Sequence, residues 1–307
     1  MTHTPGWSSG RGSGDRQRFL RPHENANVYR FRGLSESIRE LAGPVVTDIF
    51  AAVTRLGDPF FLLAVIAVYY WLSDERGGPA WLVAYTLFAV AVTVSLKNGL
   101  ALPRPPVDVQ AVPAEELSNG FPSGHALGAT VVYGGLVAVD DRLQSVSWAL
   151  GAGVLITLIA LSRVVIGVHY VGDVVVGVAI GCAILGALWV VVAERRASVA
   201  AVAALCAVPG VVVPHRGTDA FIVLGGCLGA VGVFSLVDPV SLPAADTLVS
   251  KVTLVVGGGL LLGGAYGLSF VAGHPLTTVA AGAVMLGVAL SLPLVLNALS
   301  PRTTANG

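Results

Sequence analysis

Charged residues are scarce in this sequence. Only 12% of the 307 residues are charged and 54% are hydrophobic, with a mean hydropathy of +0.78. Because a soluble domain carries about 25% charged residues, this composition excludes a water-soluble globule and a disordered chain. The 18 Lys and Arg residues balance the 18 Asp and Glu residues, so no net field draws the protein to polyanions. A nucleic-acid binder is therefore also excluded.

Cysteine is equally rare. The three cysteines, Cys182, Cys206 and Cys227, lie inside apolar runs and show no C-x-x-C spacing. We therefore expect neither a disulfide framework nor a zinc site. The simplest interpretation is that all three are small core residues.

Long apolar runs dominate the chain instead. Each is close to the roughly 20 residues that a helix needs to cross a bilayer. They cover about 58–73, 79–102, 123–139, 145–162, 168–193, 197–213, 219–237, 249–272 and 275–299. Residues 34–57 predict one more, amphipathic helix, which is either interfacial or a tenth span. The sequence thus predicts an all-α fold, a polytopic transmembrane helical bundle, preceded at 1–33 by a flexible, polar, Arg-rich tail.

The few ionisable residues concentrate at the edges of these runs, where such groups are costly and indicate function. Three clusters stand out: Lys97 with Arg104-Pro105; Pro122-Ser123-Gly124-His125; and Ser162-Arg163 with His169 and Asp173. Successive spans run in opposite directions, so all three clusters are predicted to face the same side of the membrane. Any one of these residues alone has an ordinary interpretation, such as a snorkelling lysine or an interfacial anchor. Their convergence favours a site.

The residue types in these clusters suit a phosphate group. Lys97, Arg104 and Arg163 supply three cations, and guanidinium groups bind phosphate oxygens in bidentate fashion. The helix that begins near Ser123 and Gly124 adds free backbone N–H groups. The remaining candidates are proton-transfer residues: His169 and Asp173 lie four apart, so the carboxylate can orient the imidazole, and His125 is left as a general acid.

In these motifs the sequence resembles the type 2 phosphatidic acid phosphatase superfamily of membrane phosphatases. The family signature is K-x6-R-P, P-S-G-H and S-R-x5-H-x3-D, and every motif position matches. The resemblance covers about residues 58–193. It implies hydrolysis of a phosphomonoester or diphosphate without metal or other cofactor, through a phosphohistidine. By this resemblance His169 is the nucleophile, Asp173 orients it and His125 is the general acid. The resemblance assigns phosphate binding to a further set: Lys97, Arg104, Ser123, Gly124 and Arg163.

The same resemblance divides the chain. Residues 34–196 are expected to form a six-helix, phosphatase-like catalytic core. Residues 197–300 are expected to add about four transmembrane helices of unknown role, through which the protein can oligomerise. Asp219, Asp238, Asp246 and His274 lie at the ends of these helices and are interpreted as caps and loop residues.

A lipid phosphate is the expected substrate, since the site lies at the membrane surface. Phosphatidate, phosphatidylglycerol phosphate and polyprenyl diphosphate all fit. Three alternatives stay open: a glucose-6-phosphatase-like hydrolase of a soluble sugar phosphate, a non-catalytic lipid-binding or transport protein that retains the pocket, and a relative of the vanadium haloperoxidases, which are soluble.

Cation placement predicts the orientation in the membrane. Loops opposite the predicted site carry six cations, Arg76, Arg142, Arg195, Arg196, Lys251 and Arg302, whereas the site face has few outside the motifs, Arg216 and Arg55. The positive-inside rule then places the active site on the extracytoplasmic face of a multi-pass protein of the plasma membrane.

Overall fold

The computed structural model is helical throughout the part of the chain that it describes. The described residues are 30–112, 119–190, 196–213, 218–242, 244–245, 247–271 and 274–299. No strand occurs in these ranges, and the predicted all-α class is confirmed. The principal helices are α1 (Arg32–Leu41), α2 (Pro44–Val53), α3 (Pro59–Leu72), α4 (Gly77–Leu100), α5 (Gly124–Val139), α6 (Val146–Val165), α7 (Val171–Val190), α8 (Arg196–Val212), α9 (Thr218–Leu236), α10 (Leu248–Val271) and α11 (Pro275–Leu299).

Some sequence predictions fall outside the described residues. These are the tail up to residue 29, and Arg195, Arg216, Asp246 and Arg302.

The prediction of one helix over residues 34–57 is wrong. Two helices, α1 and α2, occupy this stretch and are separated at Ala42 and Gly43. Pro44 explains the break, because proline has no N–H for a preceding turn and is accommodated at the first helical position. A 3₁₀ turn at Thr54–Gly57 then leads to a bend of 46° before α3.

The nine predicted apolar runs all form helices, with ends within a few residues of those expected. By length and composition, four described helices can each cross a membrane: Gly77–Leu100, Val146–Val165, Asp219–Leu236 and Pro275–Leu296. The bent pair Pro44–Gly57 and Pro59–Leu72 passes the same test only as a unit, as one broken span or a re-entrant loop. Of the other apolar helices, α5 and α8 are shorter, and the 17 residues of α8 span only about 25 Å at 1.5 Å per residue. The chain is a multi-pass membrane protein, and nine or ten crossings stay a prediction.

Close packing of α5 on α7 joins two of the predicted clusters. Gly177 and Gly181 of α7 face α5, and a Cβ atom on Gly177 would lie 2.7 Å from the Ser123 carbonyl oxygen. A larger residue at either position would therefore separate the helices. At the end of this contact the Ser123 amide donates to the Asp173 carbonyl oxygen at 3.0 Å. The starts of α5 and α7 thus lie side by side.

Helices α8 to α11 pack against one side of this core. Helix α8 lies along α4, and α9 lies along α11. Two prolines interrupt these added helices, and side chains of the core bind the backbone at both. At Pro209 of α8, Ser95 donates to the Cys206 carbonyl and accepts from the Gly210 amide.

The second interruption is at Pro293 of α11. Proline leaves the carbonyl four residues earlier without a helical donor. That carbonyl belongs to Ala289, and the indole of Trp71 in α3 donates to it at 2.8 Å. Tyr70 binds the next carbonyl, that of Leu290, at 3.0 Å. The added helices are therefore joined by hydrogen bonds to both α3 and α4.

Candidate active site

The predicted site residues lie at one end of the helix bundle. Lys97 is in the last turn of α4, and Arg163 is in the last turn of α6. Arg104 is in the loop after α4, and His169 is in the loop after α6. The starts of α5 and α7 supply the others: Ser123, Gly124, His125 and Asp173. The opposed directions of these helices bring all three sequence clusters together.

His169 is held with its two ring nitrogens in different environments. The side chain is 1% exposed. Its Nδ1 lies 2.6 Å from the Gly120 carbonyl oxygen, and its Nε2 lies 3.0 Å from Arg104 Nη1. A carbonyl only accepts hydrogen bonds and a guanidinium only donates them. The neutral ring therefore carries its proton on Nδ1 and presents the Nε2 lone pair to Arg104.

The charge around His169 favours this neutral form. Burial, followed by the positive charges of Arg104, Arg163 and Lys97, lowers the pKa of His169 well below its usual range. Both causes act in the same direction, because each disfavours the imidazolium. The Nε2 lone pair is therefore available at neutral pH.

Asp173 has partners besides His169. Its Oδ2 lies 3.4 Å from His169 Nδ1, a longer contact than the 2.6 Å between Nδ1 and the Gly120 carbonyl. The carboxylate binds the guanidinium of Arg30 through both oxygens, at 2.6 and 2.8 Å. It also accepts from the Tyr170 amide at 2.9 Å. In this geometry the Gly120 carbonyl is the nearer acceptor for Nδ1, a partner the sequence motifs do not indicate.

The position of Arg30 shows that the predicted flexible tail is too long. The sequence assigns residues 1–33 to that tail, but Arg30 is 4% exposed and α1 begins at Arg32. Periodicity gives no signal for Arg30, because the stretch before it is polar and irregular. Only the folded structure identifies this arginine among the others of the tail.

Asp58 is a second residue that sequence reasoning missed. Its position before Pro59 predicts a helix cap, but its side chain makes no capping bond. Instead Asp58 Oδ1 lies 2.8 Å from Nε2 of His125. His125 therefore has a carboxylate partner that the sequence motifs do not indicate. The bend between α2 and α3 places Asp58 here, and the sequence gives no measure of that bend.

The three predicted cations have distinct surroundings. Lys97 Nζ donates to the Asn119 carbonyl at 2.9 Å, and Arg104 Nη1 also donates to the Val168 carbonyl at 3.0 Å. Arg163 Nη1 donates to Thr54 Oγ1 at 2.6 Å. Its Nε is buried, with no hydrogen-bond acceptor among the described residues. An unsatisfied buried donor of this kind is unusual and is suited to a ligand oxygen.

The first turn of α5 adds backbone donors beside these cations. Ser123 Oγ accepts from the Ala126 amide, so its side chain is an N-cap. Gly124 lies beside the lysine, since a Cβ atom there would be in van der Waals contact with Lys97 Cε at 3.8 Å. The helix N-terminus and the lysine are thus adjacent, an arrangement that favours an anion.

The sequence of the chain is similar to that of known proteins. Residues 78–197 match the sequence model of the PAP2 superfamily. Over these residues the chain is similar to proteins of the PAP2 superfamily. The matched segment contains every predicted site residue, whereas Arg30 and Asp58 precede it and α9 to α11 follow it.

Two curated relatives extend the comparison. Phosphatidylglycerophosphatase B of Bacillus subtilis is 26% identical over 170 residues, which cover 52% of this chain and 81% of that protein. Lipid phosphate phosphatase delta of Arabidopsis thaliana is 38% identical over 173 residues, which cover 52% of this chain and 41% of that protein. A solved structure, the transmembrane PAP2 type phosphatidylglycerolphosphate phosphatase from Bacillus subtilis, is 25% identical with a TM-score of 0.45, covering 54% of this chain and 85% of that one.

Proposed function

We propose that this protein is an integral membrane phosphatase that hydrolyses a lipid phosphomonoester or diphosphate through a phosphohistidine on His169. One observation carries the proposal. The Nε2 lone pair of His169 faces the guanidinium of Arg104, while Nδ1 is fixed by the Gly120 carbonyl. A nucleophile is thereby aimed at a cationic pocket that attracts phosphate. The match of residues 78–197 to the PAP2 superfamily and the names of both curated relatives support a phosphatase.

The first step is attack on phosphorus. The phosphoryl group enters between His169 Nε2 and Arg104. The guanidinium then donates its hydrogen bond to a phosphoryl oxygen instead of to Nε2. Nε2 forms the bond to phosphorus as the bond to the leaving oxygen breaks. Lys97, Arg163 and the α5 amides stabilise the equatorial oxygens, where phosphoryl transfer accumulates charge. The unsatisfied Nε of Arg163 supports this assignment.

Proton transfer is assigned to His125. In its protonated form it gives a proton to the leaving oxygen, and Asp58, 2.8 Å from its Nε2, stabilises the imidazolium. In the second step the same histidine, now neutral, accepts a proton from water. The water oxygen attacks phosphorus, the P–N bond breaks, and inorganic phosphate leaves with His169 restored. No metal ion or other cofactor is required in this scheme.

A lipid is the favoured substrate because the site lies at the end of a membrane helix bundle. Phosphatidate, phosphatidylglycerol phosphate and polyprenyl diphosphate each present a phosphate at the bilayer surface. The two curated relatives are named for a phosphatidylglycerol phosphate and a lipid phosphate. A soluble sugar phosphate is the contrasting substrate.

The decisive experiment compares purified wild type with His169→Ala in detergent containing a metal chelator. Phosphate release is measured from phosphatidate, phosphatidylglycerol phosphate, polyprenyl diphosphate and glucose 6-phosphate. We expect release by wild type alone, with a lipid preferred. Absence of release by folded wild type from every substrate would refute the proposal. Preference for glucose 6-phosphate would refute the lipid assignment.

We further propose that the site faces the extracytoplasmic side of the plasma membrane. By the positive-inside rule Arg76, Arg142 and Arg196, at the opposite helix ends, favour this orientation, whereas Arg30, Arg32 and Arg39 lie at the site end and favour the reverse. In a variant lacking the three native cysteines, Val107→Cys on the site face is expected to react with an impermeant maleimide in intact cells. Arg142→Cys is the matched control and is expected to react only after permeabilisation. The reverse pattern would overturn the orientation.

A further inference from the structure

Arg30 binds Asp173 and lies beside Gly120, the two residues whose oxygens surround Nδ1 of His169. Its Nε and Nη2 bind the two carboxylate oxygens of Asp173 at 2.6 and 2.8 Å. A Cβ atom on Gly120 would lie 2.9 Å from Arg30 Nη2, so the guanidinium also lies against the residue whose carbonyl accepts from Nδ1. Its Nη1 donates to the Pro103 carbonyl at 2.8 Å, next to Arg104 in the chain. One side chain thus connects three segments of the site.

The backbone around Arg30 is anchored separately. The Gly172 amide donates to the Arg30 carbonyl at 3.1 Å, and the Val171 amide donates to Ser35 Oγ at 2.9 Å. These amides belong to the first turn of α7, where helix N–H groups lack partners within the helix. A Cβ atom on Gly172 would lie 2.8 Å from Arg30 Cα, so glycine permits this close approach. The segment is therefore held in place by bonds that do not involve the guanidinium.

We propose that Arg30 is a positioning residue for catalysis, acting on His169 through Asp173. This inference rests on the proposed function. Asp173 is completely buried, and a buried carboxylate is costly unless it is paired. The guanidinium supplies the opposite charge and fixes the carboxylate plane through two parallel bonds. Asp173 Oδ2 then stays 3.4 Å from Nδ1, while the Gly120 carbonyl takes the shorter bond.

Removing the guanidinium leaves Asp173 with an unpaired charge next to the His169 ring. The nearest hydrogen-bond donor to which it can turn is Nδ1, so the ring is expected to shift and Nε2 to lose its alignment with the phosphate pocket. Binding of phosphate depends on other groups, Lys97, Arg104 and Arg163. The turnover rate is therefore expected to fall much more than the affinity.

The test compares Arg30→Gln, Arg30→Lys and the matched control Arg32→Gln in the full chain. Arg32 lies two residues away, is about half exposed, and forms an ion pair with Glu36. We expect Arg30→Gln to lower kcat about 10- to 100-fold, the range for groups that orient a reacting ligand. KM should stay within about threefold of wild type. Arg30→Lys should restore part of kcat, and Arg32→Gln should match wild type.

A double mutant separates positioning from a general loss of structure. If Arg30 acts through Asp173, then Arg30→Gln combined with Asp173→Asn should have the kcat of Asp173→Asn within about twofold. Thermal unfolding in detergent identifies any variant that fails to fold. If Arg30→Gln is such a variant, Arg30→Lys, which keeps the charge, is compared with wild type in its place.

The outcomes are distinguishable. Arg30→Gln and Arg30→Lys with wild-type kcat, or losses that multiply in the double mutant, would overturn the positioning role while leaving the phosphatase intact. A larger change in KM than in kcat would assign Arg30 to substrate binding and also overturn it. Wild type inactive on every phosphate substrate would refute the proposed function itself.

Discussion

The first half of the molecule and the added helices are built from similar apolar sequences but are held together differently. In residues 30–190, charged side chains from distant segments meet, as Arg30 meets Asp173 and Asp58 meets His125. In α9 and α11, backbones touch at glycines. A Cβ atom on Gly225 would collide with the Val279 carbonyl oxygen.

This difference indicates separate roles for the two regions. Buried charge is expensive in a membrane protein and is retained where chemistry needs it. Small residues allow helices to approach closely and pack without such cost. We infer that the first region is selected for phosphate chemistry, whereas α8 to α11 brace it. Trp71 and Ser95 connect the two regions, since each donates to a backbone carbonyl of the added helices three or four residues before a proline.

The largest expected effect on the first region comes from Arg163→Ala. Loss of the cation with the unsatisfied Nε should lower kcat/KM on the order of 10²- to 10³-fold, as for a lost oxyanion donor. The control is Arg142→Ala, because Arg142 is exposed, pairs with Asp140 and lies before the other end of α6. Steady-state kinetics measure both variants. A loss of less than tenfold for Arg163→Ala would remove this residue from the phosphate site.

Asp58→Asn should produce the next largest effect. It keeps the shape of the side chain but removes the charge that stabilises the His125 imidazolium, so kcat should fall about 10- to 100-fold. Asp238→Asn is the matched control at the opposite end, where Asp238 is exposed and lies 3.6 Å from Arg196. Equal kcat for both variants would show that the contact with His125 has no catalytic role.

Substitutions in the added helices should change the stability of the protein and not its catalytic rate. Gly225→Ala forces α9 away from α11 and should destabilise the protein by about 1–3 kcal/mol, the usual cost of overpacking. Gly232→Ala in the same helix has no atom within 4 Å of the added Cβ and controls for the higher helix propensity of alanine. Unfolding midpoints in detergent measure the difference. A large loss of kcat per folded molecule would instead connect α9 to catalysis.

The smallest expected effect is that of mild acid. His169 must be neutral to attack, and its lowered pKa keeps it neutral as the pH falls through 6.5. Activity should therefore not fall as the pH is lowered through 6.5, after correction for the second ionisation of the phosphate substrate, near pH 6. A remaining loss with a midpoint near 6.5, measured as kcat/KM against pH, would contradict the buried, neutral His169.

The sequence predicts the site well where residues are fixed by spacing within or between helices. His169 and Asp173 are one turn apart, and Lys97, His125 and Arg163 lie at helix ends that alternate across the bundle. The helices themselves are predictable because apolar runs of this length have few alternatives in a membrane.

The remaining features depend on bends and contacts that spacing does not determine. Pro44 divides a stretch that the apolar pattern alone makes continuous. Asp58 reaches His125 only through the 46° bend that follows. Arg30 and the Gly120 carbonyl enter from irregular segments, where side-chain type carries no positional information.

The central claim is that His169 accepts the phosphoryl group on Nε2. The most direct test is rapid quenching of wild type with a preferred lipid phosphate, followed by mass spectrometry under alkaline conditions, in which phosphohistidine survives. We predict phosphate on His169, and none on any residue of His169→Ala. Turnover by wild type with no phosphate on His169 at any time, or with phosphate on another residue, would contradict the account.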